Sequence, residues 1–337
     1  MIKQVLLVLT TLALTGMTLY LLTDSTSDAR AQFDAFKIQY KKSYGSEAEL
    51  QYRFSVFQET LARVNRNNAD STKRFTMAIN KFADLKFSEF KAKYLNDMKK
   101  GANSEPMDSL DLTDLPSNVD WRSQRGSVGP VKNQEQCGSC WAFSTVASFE
   151  NAVWRKSKAS VSLSEQELVD CSNAQGNMGC NGGLMASAYD YIQLYQLGTE
   201  TSYPYRAYDQ NCSRRNKKKA GRQGIASYSV ISPANVKGLI SAASQGVVSV
   251  AIEVQDDFMS YSSGVYHNDD SCGDALDHGV AVVGYNTEDA DAYFIVRNSW
   301  GPDWGADGYI KMAIETNSSN SSGTCGIAND SDVYPTL

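Results

Sequence analysis

Gln134-Glu135-Gln136-Cys137-Gly138-Ser139-Cys140-Trp141 sets a cysteine where a loop turns into an apolar helix, with an amide side chain shortly upstream. The thiolate is the reactive form of cysteine, and a helix N-terminus favours that anion through its free N–H groups and dipole. A nearby imidazole would complete a nucleophile. The chain holds two histidines. His278 opens the apolar run Gly279-Val280-Ala281-Val282-Val283, whereas His267 sits in a polar loop beside Asn268, Asp269 and Asp270. His278 is therefore the candidate base, able to take the thiol proton and return it to a leaving amine. Asn298 ends the run Tyr293–Arg297 and can accept the imidazole N–H, with Trp300 screening that bond from water. The Gln134 amide, with the Cys140 backbone N–H, can hold a tetrahedral oxyanion.

Two other chemistries compete for Cys137-x-x-Cys140. A zinc site needs a second such pair or paired histidines, and the sequence supplies neither. A redox pair of the thioredoxin kind belongs after a first strand in a much shorter chain. The nucleophile is the better reading. There are seven cysteines, an odd number, which fits three bridges and one free thiol in an oxidising compartment. Sequence alone leaves the pairing of the six open.

Lys3 followed by the apolar stretch Val5–Leu22 has the order of a secretory signal, read here as residues 1–23. The stretch also sits at the lower edge of a membrane span, so a retained anchor is the alternative. Sequons begin at Asn211, Asn317, Asn320 and Asn329 and suit a lumenal or secreted chain. Net charge is −6. The first third is slightly basic and the remainder acidic, a balance that would favour mutual docking and weaken in acid, with ordinary surface variation as the alternative. The basic run Arg214-Arg215-Asn216-Lys217-Lys218-Lys219 reads as a solvated loop, with polyanion binding as the alternative. An acidic secreted chain argues against a nucleic-acid partner.

The elements that must position these residues fall into two textures. Residues 24–100 carry Phe33, Phe36, Ile38, Tyr40, Leu50, Phe54, Phe57, Leu61 and Val64 at helical spacing, without cysteine or proline. Residues 101–118 are an exposed linker open to nicking. Beyond it, 139–155 predicts a helix with Ala142, Val146, Phe149 and Val153 on one face. Ser164 and Glu167 have capping-box spacing for another. Strand patterns follow at 247–252, 279–285, 293–297 and 309–312. A helix-rich part followed by a strand-rich part implies an α+β fold of two lobes with a cleft between them.

Cys137-Gly138-Ser139-Cys140-Trp141, followed at about the right distance by His278 and Asn298, resembles the signature of the papain-family cysteine peptidases. The chain is similar to the cathepsin L group, as a preproenzyme. That resemblance implies a papain-like two-lobe fold, a helical lobe and an antiparallel β-barrel lobe, preceded by a helical inhibitory propeptide. It implies a signal at 1–23, a propeptide at 24–114 and a mature peptidase at 115–337. Cys140 would be nucleophile, His278 base, Asn298 orienter and Gln134 oxyanion donor. The implied bridges are Cys137–Cys180, Cys171–Cys212 and Cys272–Cys325.

Gly182, Gly183, Leu184, Met185, Ala251, Leu276, Asp277 and Trp300 would bind substrate, Gly183 pairing with its backbone. By that resemblance Asp330 would stand at the floor of the specificity pocket, where relatives carry a small neutral residue, and admit Arg or Lys beside Leu and Phe; a carboxylate turned to solvent, or displaced by a glycan on Asn329, is the alternative. In the propeptide, Glu49, Arg53, Phe57, Thr60, Val64 and Asn68 match the family helix motif, with Thr60 and Val64 as departures. Ala78-Ile79-Asn80-Lys81-Phe82-Ala83-Asp84 matches a second motif, with Ala78 in place of glycine.

The implied function is a cysteine peptidase working through a Cys140–His278 thiolate-imidazolium pair and an acyl-enzyme, endo-acting since no added loop or spare imidazole marks an end-trimming enzyme, and latent until the propeptide is removed in acid. It would need no cofactor or metal. Its partners would be protein and peptide substrates, its own propeptide and cystatin-type inhibitors. It would be a monomer of the secretory pathway, lysosomal, vacuolar or secreted, with no membrane association after signal removal. An inactive homologue acting as a binding protein is the competing class; intact Cys140, His278 and Asn298 argue against it.

Overall fold

The computed structural model describes residues 27–98, 115–213, 222–231, 235–267, 272–273, 275–315, 322–329 and 333–337. The expected signal, most of the linker, the basic run 214–219, the sequons at Asn317 and Asn320, and Asp330 lie outside these residues.

The N-terminal segment forms helices α1 (27–39), α2 (Glu47–Ala69) and α3 (Phe87–Tyr94). Ser46 caps α2 by accepting the Glu49 N–H, and Phe54, Phe57, Thr60 and Val64 follow at intervals of three and four to form its buried face. Thr60 and Val64, the departures from the motif, therefore still point inward. A small aromatic core of Phe33, Phe36, Phe54 and Phe57 closes α1 on α2. Arg53 ties α2 to α3, donating to the Asp84 carbonyl at 3.0 Å and pairing with the Glu89 carboxylate at 2.8 Å.

Residues 75–77 depart from the helical expectation. Phe75 and Met77 are buried and Thr76 exposed, a period of two, and they form strand β1 (Phe75–Met77). Asn68 at the end of α2 fixes this strand, its side-chain amide donating to the Met77 carbonyl and its oxygen accepting the Met77 N–H. β1 then adds antiparallel to β5 (Tyr261–Tyr266) at the edge of the main sheet.

The helical lobe is built on α4 (Cys140–Ser157), with α5 (Glu165–Cys171) and α6 (Met185–Tyr195) packed on it. Trp141, Val146, Phe149, Leu168, Tyr189 and Ile192 fill its core. α4 ends at Lys158, whose left-handed conformation stops the helix. The strand-rich lobe contains β2 (Asn118–Asp120), β3 (Ser227–Val230), β4 (Val248–Ile252), β5, β6 (His278–Asn286), β7 (Tyr293–Arg297), β8 (Tyr309–Ala313) and β9 (Val333–Thr336). Helices α7 (Val236–Gln245) and α8 (Asp256–Met259) complete it.

Strand order is β1-β5-β8-β7-β6-β4-β9-β3, with β2 on β6. All pairs run antiparallel except β5 with β8, which run parallel. Val250, Val282, Phe294, Val296 and Met312 lie in the core of this lobe. Two of its residues matter most for the site: β6 begins at His278 and the turn after β7 carries Asn298.

Candidate active site

Six cysteines pair as Cys137–Cys180, Cys171–Cys212 and Cys272–Cys325, with Cα separations of 4.6, 4.9 and 5.0 Å. Cys140 is left free and buried at the first turn of α4. The preceding Ser139 shares a 2.7 Å hydrogen bond with the Tyr205 hydroxyl, and Tyr205 donates to the Gln134 carbonyl at 2.7 Å. The backbone N–H groups of Gly279 and Trp141 lie close enough to the Cys140 sulfur to favour its anion. A Cβ on Gly279 would lie 3.1 Å from the Trp141 nitrogen, so glycine at 279 eases the close approach of the first turn of α4 to the start of β6.

His278 is fully buried beside this contact, and its Nε2 lies 2.8 Å from Asn298 Oδ1. Trp300 stacks on the imidazole with ring centroids 4.7 Å apart. Nδ1 has no hydrogen-bond partner among the described residues. His267 lies elsewhere, its Nε2 3.3 Å from Arg74. Gln134 is held on both sides of its amide: the oxygen accepts Ser299 at 2.7 Å, and the nitrogen donates to the carbonyls of Cys137 and Tyr94, both at 3.0 Å.

Tyr94 introduces the segment that runs through the cleft. Asn96 donates its backbone N–H to the Asp277 carbonyl at 2.8 Å, and its side-chain amide to the Gly138 carbonyl at 2.7 Å and the Cys140 sulfur at 3.6 Å. Met98 donates to the Leu276 carbonyl at 3.0 Å. Its side chain is buried in one cluster with Met185, Ala251 and Leu276, against which Leu184 packs. Gly182 faces the same strand: its φ is +118°, and an added Cβ would lie 3.2 Å from that of Asn96. Gly183 lacks a side chain for another reason, because a Cβ there would strike the Trp141 ring at 2.7 Å. Asp277 also binds Lys91 at 2.9 Å through its carboxylate. Phe82 and Phe90 lie edge-on to Trp300, at 5.7 and 5.0 Å.

This covering dries the site. Burial pushes the Cys140 thiol up to about 11, outweighing the Gly279, Asn96 and Trp141 donors that favour the thiolate. Burial likewise drives His278 down to about 4, against the raising effect of Asn298. In the covered state both groups are therefore neutral near pH 7. The helix terminus alone does not lower the thiol as its position in the sequence led us to expect, because desolvation is the larger effect. Asp277 is raised to about 6, chiefly by burial.

Residues 115–336 match the family described as papain family cysteine protease, and residues 33–90 match the cathepsin propeptide inhibitor domain. The chain belongs to the papain family of cysteine proteases. It is 40% identical over 317 residues to cathepsin L2 of Homo sapiens, covering 90% of this chain and 91% of that one. Digestive cysteine proteinase 3 of Homarus americanus is 42% identical over 317 residues, covering 92% and 95%. Among solved structures, digestive procathepsin L 3 of Tenebrio molitor superposes with a TM-score of 0.82 at 35% identity, covering 92% of this chain and 99% of its own. The protease is thus a cathepsin L-like proenzyme, and the segment before residue 115 carries its inhibitor domain.

Several site residues of the proenzyme escaped the sequence. Asn96 and Met98 lie in a short extended stretch between α3 and the linker, with no periodicity to mark them. Lys91 and Tyr205 stand in no motif, and Lys81 lies in the second propeptide motif, which says nothing of its partners. The sequon at Asn211 is exposed, whereas Asn329 is buried and unsuited to a glycan in the folded chain. Among the described residues no helix is long and apolar enough to cross a membrane. The three disulfides suit the oxidising secretory pathway.

Proposed function

We propose that Cys140, His278, Asn298 and Gln134 carry the hydrolysis of peptide bonds within proteins. In the uncovered site the thiol proton passes to Nδ1 of His278, giving a thiolate-imidazolium pair, and the thiolate attacks the scissile carbonyl carbon. The resulting oxyanion takes hydrogen bonds from the Gln134 amide and the Cys140 N–H, which as the first of α4 has no partner within the helix. The imidazolium protonates the leaving amine and the C–N bond breaks, leaving a thioester on Cys140. Water, deprotonated by His278, then releases the acid product and restores the thiol. Asn298 keeps the ring aimed throughout.

The observation that carries this reading is residues 94–98, which lie through the cleft with hydrogen bonds to Gln134, Cys140, Asp277 and Leu276. A prosegment held by those groups occupies the path of a substrate. Met98 then marks the pocket of Leu184, Met185, Ala251 and Leu276 for the second residue before the scissile bond. Removal of the prosegment near residues 112–116, self-driven in acid, would free the cleft. A monomer in a lysosome or vacuole, or secreted, open to cystatin-type inhibitors, fits this picture.

The test is alkylation of acid-treated protein by a thiol-reactive peptidyl epoxide. We expect labelling at Cys140, truncation near residue 115 and loss of both turnover and labelling in Cys140→Ser. An acid-treated protein that stays full length, or a truncated one that neither labels nor cleaves peptides, overturns the reading.

A further inference from the structure

The prosegment makes a second contact with the catalytic loop that latency by cleft filling does not require. Lys81 sends its ammonium to the backbone carbonyl of Trp300 and to the carboxylate of Asp303, the latter at 2.8 Å. Both acceptors belong to the turn that carries the indole over His278. Between them Gly301 has φ +80°, and an added Cβ would lie 3.2 Å from the Lys81 ammonium and 2.8 Å from the Asp303 oxygen. A bare residue at 301 thus leaves room for an ammonium against a carbonyl and a carboxylate. When the prosegment leaves, both acceptors lose that partner.

The side of the cleft follows from the path of residues 94–98. Met98 and its pocket lie on one side of Cys140, while Tyr94, Gln134 and the Trp300 turn lie on the other. If the Met98 pocket takes the acyl half of a substrate, as proposed above, the Trp300 turn faces the leaving half. Resting on that reading, we infer that Asp303 and the Trp300 carbonyl form a subsite for a lysine-type side chain within two residues after the scissile bond. Lys81 stands in for that side chain in the proenzyme. Glu135 and Arg206 line the neighbouring hollow together with Lys81, but they carry opposite charges and both are exposed, so Asp303 sets the local sign.

Mature enzyme should be given paired internally quenched peptides, alike except for lysine or norleucine at the first or second position after the cleaved bond. We expect kcat/KM to favour lysine about threefold at one of these positions, the scale of a single partly exposed ion pair, and the preference to shrink as salt rises. Asp303→Asn should bring the ratio to about one, and Asp303→Lys should reverse it toward a glutamate peptide. Equal rates on the wild type, or a lysine preference that survives Asp303→Asn, overturn the inference; the contact would then be an anchor of the prosegment alone. Failure to cleave either peptide would instead count against the catalytic assignment.

Discussion

The Gln134 side-chain amide donates to the Tyr94 carbonyl at 3.0 Å while its own oxygen is fixed by Ser299 at 2.7 Å. A prosegment carbonyl therefore sits on the donor assigned to the oxyanion, in an orientation already set by the mature part of the chain. Such a donor is pre-organised, so its value lies in meeting charge that develops during reaction. In the mature enzyme, Gln134→Ala is expected to lower kcat by about 10²–10³-fold with little change in KM. Steady-state kinetics on one peptide decide this; a rise in KM with kcat intact would make Gln134 a substrate-binding residue instead.

Asn298 and His278 predict a shift in pH dependence as well as rate. The hydrogen bond to Asn298 favours the imidazolium, opposing the burial that lowers His278. Removing it by Asn298→Ala lets the imidazolium lose its proton at lower pH. The basic limb of kcat/KM should move toward acid, with kcat down by about 10²-fold, at the lower end of what a positioned acid–base group contributes. A pH–rate profile whose basic limb stays in place would show that Asn298 does not act on the ring.

Much of the site could be read from the chain because its residues sit at element boundaries. Cys140 opens α4 and His278 opens β6, and both boundaries appear as changes of hydrophobic period. Strand 293–297 was legible to the residue. What could not be read is nonlocal. β1 carries only three residues, too few to show an alternation inside a helical stretch, and it exists because β5 offers an edge. Helix α6 follows Gly182-Gly183 and lacks a side-chain cap, so nothing local announces it. Asn96 acquires its role from Gly138 and Asp277, distant in sequence and joined only by the fold.

Desolvation of the thiol gives a measurable difference between proenzyme and mature enzyme. With Cys140 raised to about 11, its thiolate is scarce at neutral pH while the prosegment is in place. Alkylation of the proenzyme by iodoacetamide should be slow at pH 7 and climb steadily toward pH 11. After prosegment removal the rate should already be high near neutrality. The shape of the pH curve is the readout, since access alone would scale the rate without moving its midpoint. A proenzyme with the same midpoint as the mature form would mean the prosegment leaves the thiol's ionisation untouched.

The proposed acid activation turns on which carboxylates lose stability when protonated. Asp277 is the obvious choice because it holds Lys91, but its sign is wrong. Burial raises it to about 6, so the folded proenzyme binds that proton more readily than the unfolded chain, and protonation there does not favour unfolding. Glu89 has the opposite sign. Burial pushes its carboxyl up, yet the Lys86 N–H and the Arg53 guanidinium outweigh this and hold it below the usual value of 4.5. Its contribution is present above that value and lost as pH falls through the depressed one. The α2–α3 joint, where Arg53 meets Glu89 at 2.8 Å, should therefore loosen below about pH 4.5. Glu89→Gln removes the charge at every pH, so its self-processing should begin at higher pH than in the wild type. Electrophoresis of proenzyme incubated across pH 3.5–6.5 measures the onset; an unchanged onset would place the acid trigger elsewhere than this joint.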